Sequence, residues 1–573
     1  MKKRIVAYLL LIALVLSGCG ESGTGDITLN GGTGNNGNTG NTGEVEEPGT
    51  SDVSEMDFSF TERELSAEAT GGEQLKAGTQ ITRAGTYRIS GNYSGTVVID
   101  AGDNKVQLIL DNANITAADG PAIYVKAADK VFLTLVGENI LQDGKTYASG
   151  YTADNVDGAI FSRGDLAING TGTLTVQAGY KHGIVSKDDL VITGGNILVE
   201  APNVALSGKD CVKITSCVLN LTAGTDGIRS DNEEDASRGY VYIKDGMVTV
   251  TSDTDGIQAH TALKCDAPIV NITTTSGKGM KAGSDILIAG GSYHIQSQDD
   301  CVHSNNTIVI SDGTLSLTSG DDGIHADTDL AVSGGDITIT KSYEGMEASK
   351  LLISGGKMDI TASDDGLNAA GGNDGSSMGG RPGQGFFSSS TGEISIGGGY
   401  LVINASGDGI DANGPITLSG GTVLVSGPTS GMNGAFDCDG TATVTGGYLI
   451  ALGSNGMAQG FSAAENQGAA LFSFSTQQGG TSFAVCDAQG NVVIAFTAEK
   501  TYASAAITAP GLQQGETYTV IVGGTVSNAD ENGFASSGTV SGGTTLGTFT
   551  MSSLIMGSSG GGPGGGGGRP PRP

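Results

Sequence analysis

One phrase recurs from about residue 150 to residue 457, and it limits the fold of this chain more than any other feature. It is clearest at Asp329-Leu330-Ala331-Val332-Ser333-Gly334-Gly335-Asp336-Ile337-Thr338-Ile339, which runs on to Glu344-Gly345-Met346-Glu347-Ala348. The next copy starts at Leu351 and ends at Asp365-Gly366-Leu367-Asn368-Ala369. The equivalent turn position falls at Gly183, Ala205, Gly227, Gly256, Gly279, Cys301, Gly323, Gly345, Gly366, Gly409, Gly431 and Gly456, so successive gaps are 22, 22, 29, 23, 22, 22, 22, 21, 43, 22 and 25. The period is 22, with insertions at the exceptions.

Each copy holds three short apolar-alternating runs: one before the Gly-Gly, one after it and one after the Asp-Gly. Alternation with period two is the signature of a strand, and Gly, Asn and Asp at the breaks are turn residues. Coils of ~22 residues rising ~4.8 Å per turn stack into three parallel sheets around an inner column of Ile, Leu, Val and Ala. The expected fold is all-β, a three-sheet parallel β-helix, right-handed because parallel crossovers nearly always are. A leucine-rich repeat has a similar length but needs a Leu-x-x-Leu-x-Leu-x-x-Asn phrase and a helical side, and neither is present. A stacked repeat also suits 573 residues, since a single core stops growing near ~250–300.

The ends of the chain read differently. Lys2, Lys3 and Arg4 precede an apolar run from Ile5 to Leu16 and then Leu16-Ser17-Gly18-Cys19, an export signal whose tetrapeptide resembles a bacterial lipobox with Cys19 as the lipidated residue. Residues 20–51, rich in Gly, Asn, Thr and Glu, read as a flexible linker, so the protein is expected outside the cytoplasm, anchored to the membrane by lipid at the cell surface. Residues 52–465 are assigned to the β-helix, with opening coils around Thr79 to Ile115. Residues 466–556, with Phe472-Ser473-Phe474 and Tyr518-Thr519-Val520-Ile521-Val522, are assigned to a small β-rich cap over the open end, since an uncapped coil exposes unpaired strand edges. Residues 557–573 form a Gly/Pro tail expected to be disordered, and insertions at 231–239 and 371–391 are expected to emerge as loops. Six further Cys are scattered without a Cys-x-x-Cys pair, and no disulfide pairing is favoured.

Charge narrows the partners. With 29 Lys plus Arg against 61 Asp plus Glu, a net charge of -32, nucleic-acid binding is not expected, because affinity for phosphate backbones comes from clustered Lys and Arg. Stacking turns sequence period into spatial neighbourhood, and the turn column reads Asp226, Asp255, Lys278, Asp300, Asp322, Glu344, Asp365 and Asp408. Asp299, Asp321 and Asp364 stand one position earlier, while His303, His325, Glu347, Asn368, Asp411 and then Asp327 follow. Carboxylates ~4.8 Å apart repel unless splayed into water or bound to a cation. Calcium suits this chemistry, taking 6–8 oxygen ligands in tolerant geometry. The candidate ligands are Asp299, Asp300, Asp321, Asp322, Asp327, Asp364 and Asp365. The alternative is turn chemistry alone, with Asp bonding its own backbone and Gly supplying a positive φ. His303 and His325 are read as column members bonding neighbours, because a hard cation prefers oxygen.

The lipobox, the spacer, the 22-residue coils and the closing Gly515-Glu516-Thr517-Tyr518-Thr519-Val520 element together resemble a bacterial, clostridial family of carbohydrate-binding parallel β-helix lipoproteins. The resemblance implies calcium in the turns and binding of plant cell-wall polysaccharide, both polygalacturonate and cellulose. Residue chemistry favours the acidic polymer. Trp is absent, so a flat aromatic platform for a glucan reduces to Tyr400 and Tyr448, which share the position after Gly-Gly. Calcium with open coordination positions reverses the local sign of an acidic protein and bridges it to galacturonate carboxylates. The expected protein is a monomeric, non-catalytic binder of pectin-type polysaccharide. Two other readings stay open: a pectate lyase or polygalacturonase-like enzyme, and an adhesin or surface spacer. For the enzyme, Gln298-Asp299-Asp300 and Lys181-His182-Gly183 resemble polygalacturonase motifs in the wrong order, and Lys278 or Lys281 would be the lyase base.

Overall fold

The computed structural model describes residues 53–369 and 392–557; the export signal with Cys19, the linker, the 371–391 insertion and the terminal Gly/Pro tail lie outside the described residues. The fold is nearly all-β, with 2% helix, and forms a solenoid of about 16 turns in stacked coils of about 23 residues. Each coil contributes one strand to each of three parallel sheets. The first sheet collects strands after the Gly-Gly, such as Asn196–Ala201, Val218–Ala223 and Met247–Ser252. The second collects the three-residue strands after the Asp-Gly, such as Ile228–Ser230 and Ile257–Ala259. The third collects those before the Gly-Gly, such as Cys211–Ile214 and Tyr240–Ile243.

The alternating pattern fixes which residues turn inward. In the first sheet Leu174, Ile197, Leu219, Val248, Val270, Tyr293 and Leu315 stack in register as one inner column. All are at most 1% exposed. Full burial of such a side chain contributes about 1.5–3 kcal/mol, repeated on three faces of every coil.

The two recurrent glycines have different causes. The second Gly of the Gly-Gly bends the chain with a positive φ, as at Gly335 (φ 90°). The Gly after the turn Asp adopts no such φ. At Gly345 a Cβ would lie 2.3 Å from the Gly366 carbonyl oxygen of the next coil and 2.4 Å from Ile360 Cγ2. Close approach of coil to coil, and not a left-handed turn, requires glycine there, which corrects the turn-dipeptide reading.

The C-terminal segment does more than seal the end. Tyr502–Ala509 pairs antiparallel with Tyr448–Gly453 of the last coil, and Gly468–Gln477 pairs with it in turn. A four-stranded antiparallel sheet of Val492–Thr497, Ser482–Cys486, Thr517–Val522 and Thr544–Thr550 packs its apolar side on Leu424 and Ile450, outward residues of the first sheet. The cap therefore folds over the flank of the last coils.

At the other end, residues 53–70 form a strap along the outer face of the third sheet. That face presents Gln107, Phe132, Ala167, Val191, Lys213, Tyr242 and Lys264 in one register column. Phe58 packs 5.3 Å from Tyr240 and 5.1 Å from Tyr242, and the buried Glu64 carboxylate meets Lys130 Nζ at 2.6 Å. Lys213 Nζ donates to the Ser59 carbonyl and Asn169 Nδ2 to the Ser66 carbonyl. The six described Cys are buried free thiols.

Candidate functional site

The outward face of the second sheet carries one continuous column. In register it reads Tyr124, Phe161, Val185, Ser207, Arg229, Gln258, Lys281, His303, His325, Glu347, Asn368 and Asp411. It passes from aromatic through basic to acidic. The turn column runs beside it, three positions earlier in each coil, from Asp226 to Asp408.

The turn aspartates use one oxygen to staple their coil to the next. Asp255 Oδ1 accepts from Lys278 N at 2.9 Å, Asp300 Oδ1 from Asp322 N at 3.0 Å, Asp322 Oδ1 from Glu344 N at 3.1 Å, and Asp365 Oδ1 from Asp408 N. These bonds reach the following coil's backbone, where a turn aspartate acting alone would bond its own. The second oxygen is left for a cation.

Through the first part of the column that cation is a side chain. Asp226 Oδ2 meets Arg229 at 3.4 Å and Asp255 Oδ2 meets Lys281 at 3.5 Å. Asp300 Oδ2 receives Lys278 Nζ at 2.5 Å and His303 Nδ1 at 2.8 Å, while Asp299 Oδ1 receives Lys278 Nζ at 2.8 Å. Burial alone would raise the Asp300 carboxyl; the hydrogen bond to His303 and the charge of Lys278 outweigh it and hold it well below the usual carboxylate range. Lys278 is likewise held above its ordinary value, burial opposing and Asp300 and Asp299 prevailing. A lysine bridging two carboxylates in the charged form is a poor general base, which does not favour the role considered for Lys278. Next, His325 Nδ1 lies 3.1 Å from both Asp322 Oδ2 and Glu347 Oε2, and its Nε2 3.3 Å from Asp327. Burial disfavours its charge, but the two carboxylates raise it to about 11, so His325 is the cation of that coil. His182, five coils from Asp300, sits 3.7 Å from Asp157 and is not brought near the paired Asp.

Beyond His325 no basic side chain meets the turn carboxylates among the described residues. One carboxylate oxygen each from Asp365, Asp408 and Asp411 lie within 4.8 Å of one another. Burial, then repulsion from neighbouring carboxylates, pushes Asp365 up to about 8 and Asp411 to about 7, with Asp408 facing both, raises Asp408 to about 6 beside Asp437 and Asp364, and raises Glu344 to about 10 beside Glu347 and Asp322. Asn368 stands in register between Glu347 and Asp411, 5% exposed. Its Nδ2 donates to Glu344 Oε2 at 2.6 Å, and its Oδ1 has no hydrogen-bond partner. An orphaned buried acceptor beside three crowded carboxylates is an all-oxygen donor set that fits a hard divalent cation.

The structure thus redistributes the expected ligands. Asp299, Asp300 and Asp322 already have side-chain cations, Asp321 brings one oxygen within 4.8 Å of Asp299 and Asp300 in that same neighbourhood, and Asp327 faces His325. Asp364 and Asp365 fall at the cluster without one, joined by Asp408, Asp411 and Asn368. These last three stand in the sequence columns, but their importance rests on the missing basic residue in the adjacent coils. Tyr400 and Tyr448 are corrected. Both lie under the cap, with Phe534 edge-on at 6.5 and 5.6 Å, and Tyr400 donates its hydroxyl to Asp530 at 2.6 Å. They seat the cap and form no open platform.

The sequence profile of the carbohydrate-binding domain-containing protein family matches residues 76–323 and again 322–553. A carbohydrate-binding domain-containing protein of Acetivibrio thermocellus is 33% identical over 295 residues, 51% of this chain and 96% of that relative. A solved structure described as a polysaccharide lyase-like protein from C. thermocellum, gadolinium derivative, is 34% identical and covers 39% of this chain and 89% of that one, with a TM-score of 0.36. With the profile matched twice along one solenoid, the chain belongs to the carbohydrate-binding domain family.

Proposed function

We propose that this protein is a non-catalytic, monomeric binder of acidic plant cell-wall polysaccharide of the polygalacturonate type, with calcium as the bridge. The observation that supports it is the end of the cation ladder: among the described residues no Lys, Arg or His after His325 meets the turn carboxylates, Asp365, Asp408 and Asp411 converge, and the Asn368 oxygen in the neighbouring register position lacks a partner. These residues would hold calcium, whose chemistry there is to reverse the local sign and accept carboxylates of the polymer. Without it a net charge of -32 repels a polyanion. Cellulose is the less favoured ligand, because the two tyrosines that might have gripped it lie under the cap. In the same reading Cys19 carries lipid and tethers the protein at the cell surface.

The test is retention of residues 20–573, without lipid, on insoluble polygalacturonate and on cellulose, with calcium or chelator, while the supernatant is assayed for released sugar. Calcium-dependent retention on polygalacturonate without release is expected. Retention unaffected by chelator overturns the calcium bridge, and released unsaturated or reducing sugar overturns the non-catalytic reading.

A further inference from the structure

Between the basic and the acidic stretches of the second-sheet column stand its two imidazoles. His303 and His325 are in register on successive coils, with ring centroids 4.9 Å apart. Both rings are held in the same way. His303 Nδ1 meets Asp300 Oδ2 at 2.8 Å and His325 Nδ1 meets Asp322 Oδ2 at 3.1 Å, so each Nδ1 carries its proton toward a carboxylate. That contact leaves Nε2 as the nitrogen free to bind something else, and a carboxylate behind the ring is the support that metal-ligating histidines almost always have.

Each Nε2 faces an oxygen two residues further along its own coil. His303 Nε2 lies 3.0 Å from Asn305 Oδ1, and His325 Nε2 lies 3.3 Å from Asp327 Oδ1. The second contact is not a hydrogen bond: His325 is fully buried and its Nε2 has no hydrogen-bond partner. An unsatisfied buried ring nitrogen aimed at a carboxylate oxygen marks a place for a cation. The spacing suits a small one, since two ligands each about 2.0–2.2 Å from a tetrahedral zinc ion stand about 3.3–3.6 Å apart. The oxygens form the solvent side. Asn305 is exposed and the Asp327 side chain is 39% exposed, so an ion meets them before it meets the nitrogens.

We infer that Nε2 of His303 and of His325, with the Asp327 carboxylate and Asn305 Oδ1, form a site for one divalent ion of the zinc class that clips two successive coils together. Imidazole nitrogens suit zinc, nickel and copper, whereas calcium takes oxygen. As the ion enters, any proton on Nε2 passes to solvent, and the Nδ1 protons stay with Asp300 and Asp322. Lys278 keeps its contact with Asp300, and Glu347 keeps its contact with His325 Nδ1, so the ion takes no partner from either. The site uses none of Asp365, Asp408 and Asp411, and it stands whether or not calcium binds there.

The test is calorimetric titration of zinc into untagged, metal-stripped residues 20–573 in the presence of excess calcium. One zinc ion should bind at a single site. His303→Gln and Asp327→Asn should each weaken it at least tenfold, while His294→Gln, on the first sheet, leaves it unchanged. Calcium titrated into the His303→Gln and Asp327→Asn variants should bind as it does to the parent chain, and the metal-free melting temperature of Asp327→Asn should match the parent's. Absence of zinc binding overturns the inference. So does zinc that excess calcium displaces, and so does zinc bound with undiminished affinity by both variants.

Discussion

Lys278 stands at the turn position that Asp255 and Asp300 hold in the coils on either side, and that single exchange decides the chemistry of its neighbourhood. Its ammonium spans Asp299 and Asp300, and the Asp300 side chain is fully buried. Removing one partner of such a pair leaves an uncompensated buried charge, which costs about 3–5 kcal/mol. Lys278→Met should therefore lower the melting temperature by several degrees, and adding Asp300→Asn should recover part of the loss, as read by calorimetry. An unchanged melting temperature for the single variant would mean that Asp300 finds another cation. Gly345 offers a second test at this scale. A methyl group there meets a backbone carbonyl and an inner Ile, so Gly345→Ala should destabilise by about 1–3 kcal/mol, the range for overpacking. The need for glycine was legible in the sequence, but its cause was not, because an Asp-Gly pair looks the same whether φ or close packing demands it.

Among elements, the second-sheet column and the strap carry separate consequences. The raised values of Asp365, Asp408 and Asp411 mean that the cation-free folded chain holds protons the unfolded chain releases near pH 4. Stability from these groups is fully present below about pH 4 and is lost as pH rises through 6 to 8. In chelator the melting temperature should fall across that window, and saturating calcium should abolish the fall, adding about 2.7 kcal/mol at a hundred times its dissociation constant. A flat profile in chelator would show that the carboxylates are not crowded. For the strap, Glu64→Ala removes the partner of Lys130, whose side chain is 11% exposed. Hydrogen exchange should then accelerate in residues 53–70 and leave the acidic coils unchanged. Period, strand positions and the acidic column were all readable from residue spacing, since stacking makes sequence neighbours at 22 into spatial ones. The strap was not, because Phe58 and Phe60 belong to no repeat and find their partners, Tyr240 and Tyr242, about 180 residues away.

Over the whole solenoid, charge is arranged along the axis. Basic side chains accompany the turn carboxylates from Asp226 to Asp322, and among the described residues none meets those of the coils that follow. The sequence places an aspartate at almost every turn and points to the doubled ones, which does not separate coils that carry their own cation from coils that do not. Preference arises only when each side chain is followed to the neighbour it reaches. The same holds for Tyr400 and Tyr448, whose outward position serves a cap as readily as a sugar. The most direct measurement is calorimetric titration of calcium into residues 20–573 and into two double variants, Asp408→Asn with Asp411→Asn, and Asp299→Asn with Asp321→Asn. The expected result is that the first variant loses calcium binding by tenfold or more while the second keeps a wild-type dissociation constant. Loss in the second with retention in the first would place the cation among the coils that already carry Lys278 and His303, and would contradict the ladder as the determinant of the site.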